Sequence, residues 1–70
     1  MFYTVVRHGQ GSQVSDWYAI GDACASLALA KSTADKYTRE NPERDGWHRY
    51  VEVLNAPPSC PDAEVVHVSR

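Results

Sequence analysis

VSDWYAIGDA, residues Val14–Ala23, is the stretch whose reading decides the fold. Two helix starts compete within it. Ser15 is a good N-cap residue and would open one long helix running through Trp17, Tyr18 and Ile20. Asp22 is the other candidate, standing directly before an alanine-rich run. Aromatic and β-branched residues suit a pleated strand, and glycine is costly inside a helix. The stretch is therefore read as a second strand closing at Gly21-Asp22, with Asp22 as the cap. The start at Ser15 stays open as the alternative.

Downstream, ACASLALAKSTADKYTREN (Ala23–Asn41) is dominated by helix formers. Cys24, Leu27, Ala30, Ala34 and Tyr37 recur at three- or four-residue steps, the spacing of one buried helix face. Lys31, Asp35 and Arg39 follow one another at i,i+4 on the other side, with Lys36 and Glu40 as a further pair, so that side is expected to be a solvated face of ion pairs. Pro42 ends the helix, because the residue before a proline is pushed out of helical geometry.

Upstream, FYTVVRH (Phe2–His8) reads as a first strand and GQGSQ as the connection after it. PERDG, with Asp45-Gly46, reads as a turn into a strand from Trp47 to Asn55. The three prolines of APPSCPD forbid regular pairing in that loop, and Ala63–Ser69 is the last strand. The expected fold is α+β in one domain over residues 1–70. It is ββαββ, or βαββ if Ser15 starts the helix: a mainly antiparallel sheet with one helix packed across one face. One helix covers one face only. No strand splits cleanly into apolar and polar sides, so the uncovered face should keep Tyr, His, Val or Leu side chains.

Seventy residues bury only about 60% of the surface of the unfolded chain, which leaves little room for a deep active site. Nine acids against seven bases give a net charge of −2. Direct nucleic-acid binding, which usually shows as a basic excess, is not expected. No apolar run approaches the roughly 20 residues of a membrane span, and no basic segment followed by an apolar one opens the chain. The expected location is the cytoplasm. Cys24 and Cys60 are then expected as free thiols, the first a small buried helix residue and the second a candidate exposed thiol in the proline-rich loop. Zinc-type Cys and His spacings do not occur, so no metal or other cofactor is expected.

The sharpest chemical motif is TVVRHGQ, Thr4–Gln10. An apolar strand running into Arg7-His8-Gly9 resembles the start of the catalytic centre of the histidine phosphatases. That resemblance implies a phosphate-accepting His8 with Arg7 holding the phosphate. It spans about eight residues and departs from the family at Gly11. The second phosphate-holding histidine and arginine and the proton-donating acid have no recognisable counterparts, and the family's doubly wound sheet needs a far longer chain. An enzyme using His8 is the remote alternative. His48 and His67 read as sheet residues with a possible mutual approach.

Contact chemistry is the remaining signal. Trp17, Trp47 and Tyr50 are the candidate partner-binding aromatics, since aromatics are enriched at binding hot spots. Asp35, Glu40, Glu43 and Asp45 gather around the helix end as candidate partner-facing acids, with Lys36, Arg39 and Arg44 interleaved. In size, acidity and strand–helix–hairpin layout the chain resembles small accessory proteins of bacteriophages and mobile elements, among them the anti-CRISPR inhibitors. The resemblance implies a non-enzymatic inhibitor that blocks a bacterial protein complex such as a CRISPR-Cas effector. A homodimeric regulatory or antitoxin-like domain, joined through the uncovered face, is the alternative.

Overall fold

The structure, a computed structural model, describes residues 1–10, 16–44 and 47–70. Its elements are β1 (Phe2–Gln10), β2 (Asp16–Cys24), α1 (Leu27–Glu40), β3 (Trp47–Leu54) and β4 (Val65–Ser69). The strands form one sheet in the order β2-β1-β3-β4, and every neighbouring pair is antiparallel. The architecture is the expected ββαββ. Strand β2 starts at Asp16, which rules out the βαββ version; Ser15 itself lies outside the described residues.

Strand alternation and register sort the side chains onto two faces. Phe2, Thr4, Val6 and His8 of β1 lie in register with Cys24, Ile20, Tyr18 and Asp16 of β2. The last three of those β1 residues also lie in register with Val53, Val51 and Arg49 of β3. This is the side on which α1 packs. Val6, Val51 and Val53 meet Ala30 and Ala34 in a fully buried cluster, edged by Phe2, Ile20, Cys24, Leu27 and Tyr37. Two alanines one turn apart let the helix backbone come close to the valines, which is how so short a chain closes its core. The Thr38 hydroxyl shares its one hydrogen between Ala34 O at 3.1 Å and Ser69 O at 3.4 Å, tying the helix to the edge strand.

The helix begins later than expected. Ser26, not Asp22, is the N-cap, its Oγ accepting from the Leu29 N–H at 3.2 Å. Gly21 and Asp22 belong to β2, where Gly21 takes a φ of +66°. Phe2 opposes Cys24 and Thr4 opposes Ile20, so only Tyr3 stands opposite Gly21, Asp22 and Ala23. The glycine serves a bulge in the strand rather than a helix boundary. Cys24 accordingly ends β2 and packs at the rim of the core, its thiol donating to Ser26 O at 3.2 Å.

Other boundaries move by a residue or two. Asn41 caps the helix C-terminus through its backbone N–H to Tyr37 O, and β3 stops at Leu54. Ala63 and Glu64 belong to the loop: the Ala63 N–H donates to Cys60 O, the Asn55 N–H to Glu64 O, and the Glu64 N–H to the Asn55 side chain. Cys60 is half-buried there rather than exposed. Arg44 and Trp47 pair across the turn whose centre, Asp45-Gly46, lies outside the described residues. Of the expected helical ion pairs only Lys36–Glu40 forms, at 3.9 Å; Asp35 turns instead to His67.

No helix among the described residues is long and apolar enough to cross a membrane.

Candidate functional site

The face opposite α1 is organised in rows across the strands. Trp17, Arg7 and Tyr50 form one row, Ala19, Val5, Glu52 and Val68 the next, and Tyr3, Leu54 and Val65 the third. The centre is closed without a helix. Val5 is 0% and Leu54 3% exposed. Arg7 Nε donates to Glu52 Oε1 at 2.7 Å, a diagonal contact between β1 and β3. Both partners are mostly screened from water, so the pair holds two long side chains over the middle of the sheet. Around this centre the rim is apolar and open: Trp17 is 45%, Val65 46% and Val68 48% exposed. Tyr50 lies in the same face under the Arg70 guanidinium, whose carbon sits 4.5 Å from the ring centroid.

Trp47 does not belong to that surface. It lies in register with Gln10, on the α1 side, beyond the part of the sheet that the helix covers. The His8 ring stands between it and Tyr18, with centroid distances of 5.8 Å to Trp47 and 5.4 Å to Tyr18. Tyr18 in turn shares a hydrogen bond between hydroxyls with Tyr37 of the helix. Burial of the Tyr37 phenol, and then that hydrogen bond, push its pKa up, while the nearby Arg49 charge opposes the shift. The three candidate aromatics therefore divide: Trp17 and Tyr50 on the open face, Trp47 on the other.

Three of the four candidate acids are held by neighbours within the chain. Asp35 Oδ1 meets His67 Nε2 at 3.2 Å, linking α1 to β4. Its pKa is held down, first by this hydrogen bond and then by one from Ser69, against a smaller upward push from burial. Glu40 faces Lys36, and Glu43 faces His48 Nδ1 at 3.4 Å. Asp45 lies outside the described residues.

Arg7 and His8 point to opposite faces, Arg7 toward Glu52 and His8 toward Tyr18 and Trp47. Adjacent strand residues do so by construction. The two side chains thus do not converge on one phosphate as the histidine phosphatase resemblance implies. The histidines stay apart as well: His48 is engaged by Glu43 and His67 by Asp35. Among the described residues no group of three His, Cys, Asp or Glu side chains is placed to hold a metal ion.

Sequence reasoning missed the basic end of the α1 side. An open groove of about 460 Å³ runs between the helix C-terminus and β3, bordered by Thr38, Arg39, Asn41, Glu43, Arg49 and Arg70. The Arg49 Nε is buried and has no hydrogen-bond partner among the described residues. In sequence Arg49 is one base among several, and only the register opposite His8 turns it toward the helix. Comparison with known proteins finds no matching family model, no matching curated protein and no matching solved structure.

Proposed function

We propose that the chain is a non-enzymatic protein-binding module whose contact surface is the uncovered sheet face. The observation that carries this reading is the exposed rim of Trp17, Val65 and Val68 around a centre already closed by Val5, Leu54 and the Arg7–Glu52 pair. Apolar side chains left open together on one face are the usual mark of a contact surface. A tryptophan among them is the residue type most enriched in binding hot spots. Function is then by occupancy: the face covers a surface of its partner. The target class that suits the resemblance to phage accessory inhibitors is a bacterial protein complex such as a CRISPR-Cas effector, met in the host cytoplasm.

The test is capture from a bacterial lysate containing such effector complexes, followed by assay of the captured complex for target cleavage. The expected outcome is capture with loss of cleavage, both reversed by Trp17→Ser. Capture without loss of cleavage, or no capture of an effector subunit, would overturn the inhibitor reading.

A second reading is favoured by Val65 and Val68 lying on the edge strand β4. An apolar edge and face suit association with a second copy, as in a homodimeric regulatory or antitoxin-like domain. Light scattering at working concentration separates the two readings, since the inhibitor is expected as a monomer.

A further inference from the structure

We infer that the groove between the C-terminal end of α1 and β3 is a binding site for a phosphate group, gripped by Arg49 and Arg39. The protein-binding reading concerns the opposite face of the sheet, and the two meet only at Arg70, which borders the groove and also covers Tyr50 of the open face. The phosphate site starts from Arg49. A guanidinium carries five N–H donors in a fixed fork and stays charged at all ordinary pH. Its Nε is buried without a partner among the described residues, although buried polar groups are nearly always hydrogen-bonded. None of the ion pairs among the described residues uses Arg49 or Arg39. Glu43, the one acidic side chain bordering the groove, is turned to His48.

Arg39, in the last turn of α1, would by itself be the ordinary complement of a helix C-terminus. Arg49 has no such role, because it sits on β3 and only faces the helix end across the groove. The carbonyl of Tyr37, which would otherwise repel an anion there, already accepts from both the backbone N–H and the side-chain amide of Asn41. The second amide hydrogen of Asn41 remains a donor at the groove wall. Donors thus approach from α1, from its cap and from β3. A planar carboxylate offers two oxygens to such a set, whereas a phosphate offers three or more arranged tetrahedrally. A groove of about 460 Å³ also leaves room for whatever the phosphate is attached to.

The experiment is titration of the whole chain, at constant ionic strength, with inorganic phosphate, adenosine monophosphate and acetate. Binding is followed by ¹H–¹⁵N correlation spectra that include the Arg49 Nε–H. The expected result is saturable movement of the Arg49 Nε–H and of the Arg39 and Asn41 amides with phosphate or the nucleotide, and little with acetate. Tighter binding of the nucleotide identifies an esterified phosphate as the ligand class, and tighter binding of inorganic phosphate identifies the free anion. Arg49→Gln is expected to weaken binding roughly tenfold or more, the loss of a charge-assisted hydrogen bond. Arg49→Lys keeps the charge but not the fork, and should weaken it several-fold with the fold intact. Should Arg49→Gln fail to fold, Arg49→Lys carries the test. No saturable movement up to about 10 mM phosphate or nucleotide, equal movement with acetate, or unchanged affinity in the Arg49 variants would overturn the inference.

Discussion

At the scale of single residues, two side chains link the structure to measurable stability. Gly21 alone among the described residues has a positive φ, and a Cβ built there meets no atom within 4 Å. The cost of Gly21→Ala is therefore backbone conformation and nothing else, about 1–2 kcal/mol. Gly21→Asn should lose less, because asparagine tolerates this region better. Urea unfolding of the two variants checks the order, and equal losses would contradict a conformational cause. Asp35 gives a pH signature. Its carboxyl is held below its ordinary value of 3.8, chiefly by the His67 hydrogen bond. A carboxylate whose folded pKa is depressed adds stability above its unfolded pKa and loses it as pH falls through the lower folded value. Asp35→Asn should thus melt below the unmodified chain at pH 7. The two melting temperatures should converge as the pH falls below 3.8 and through the lower folded value, where both chains come to carry a neutral side chain. A gap that persists unchanged in acid would show that the bond to His67 does not depend on the charge.

At the scale of elements, the expected helix start and the observed one make opposite predictions. Ser26→Ala removes the hydroxyl that accepts from the Leu29 N–H and should cost about 1 kcal/mol in thermal or urea unfolding. Asp22→Ala should be nearly neutral, since Asp22 lies exposed in β2. The reverse ranking would restore Asp22 as the cap. The difference also shows what was legible in the letters. The aromatic and β-branched run of β1, the alanine face of α1 and the valines of β3 each state their element locally, and the α+β class follows from them. Gly21-Asp22 does not. A glycine before a capping residue is the local signal of a helix start, and it equally fills a strand bulge. Phe2, nearly the whole β1–β2 hairpin away in sequence, selects the second by drawing Cys24 into register against the core. The candidate site was legible by residue type and not by side. Trp17 and Trp47 read alike in sequence, yet Trp17 lies opposite Arg7 and Trp47 opposite Gln10, which places them on opposite faces. That is a matter of register, and register is set by pairing rather than by neighbours in the chain.

At the scale of the whole molecule, both sheet edges are guarded while one face is not. β2 carries Asp16 and Asp22 and bulges at Gly21, and β4 has only five residues with Val66 set out of register. Such devices discourage strand-to-strand addition at an edge. The open face carries no comparable protection at its rim, so contact through side chains is favoured over contact through the backbone. A double variant, Trp17→Ser with Val68→Ser, measures this directly. Both side chains are close to half exposed, so each change should cost about 1 kcal/mol of folding stability, roughly half of what full burial of such a side chain contributes. For a domain of this size the two changes together lower the melting temperature by roughly ten degrees, on the scale of about 4–8 °C per kcal/mol. If the open face is the contact surface, loss of the Trp17 anchor on its rim costs about 2 kcal/mol or more, which is roughly a thirtyfold drop in partner affinity. A lowered but still cooperative melting transition, with a large loss of capture measured well below it, is thus the expected pair of results. In the homodimer reading the same variant should instead lower the molar mass seen by light scattering. Capture and mass both left unchanged would remove the open face from consideration and move the contact to the side that carries His8, Tyr18 and Trp47.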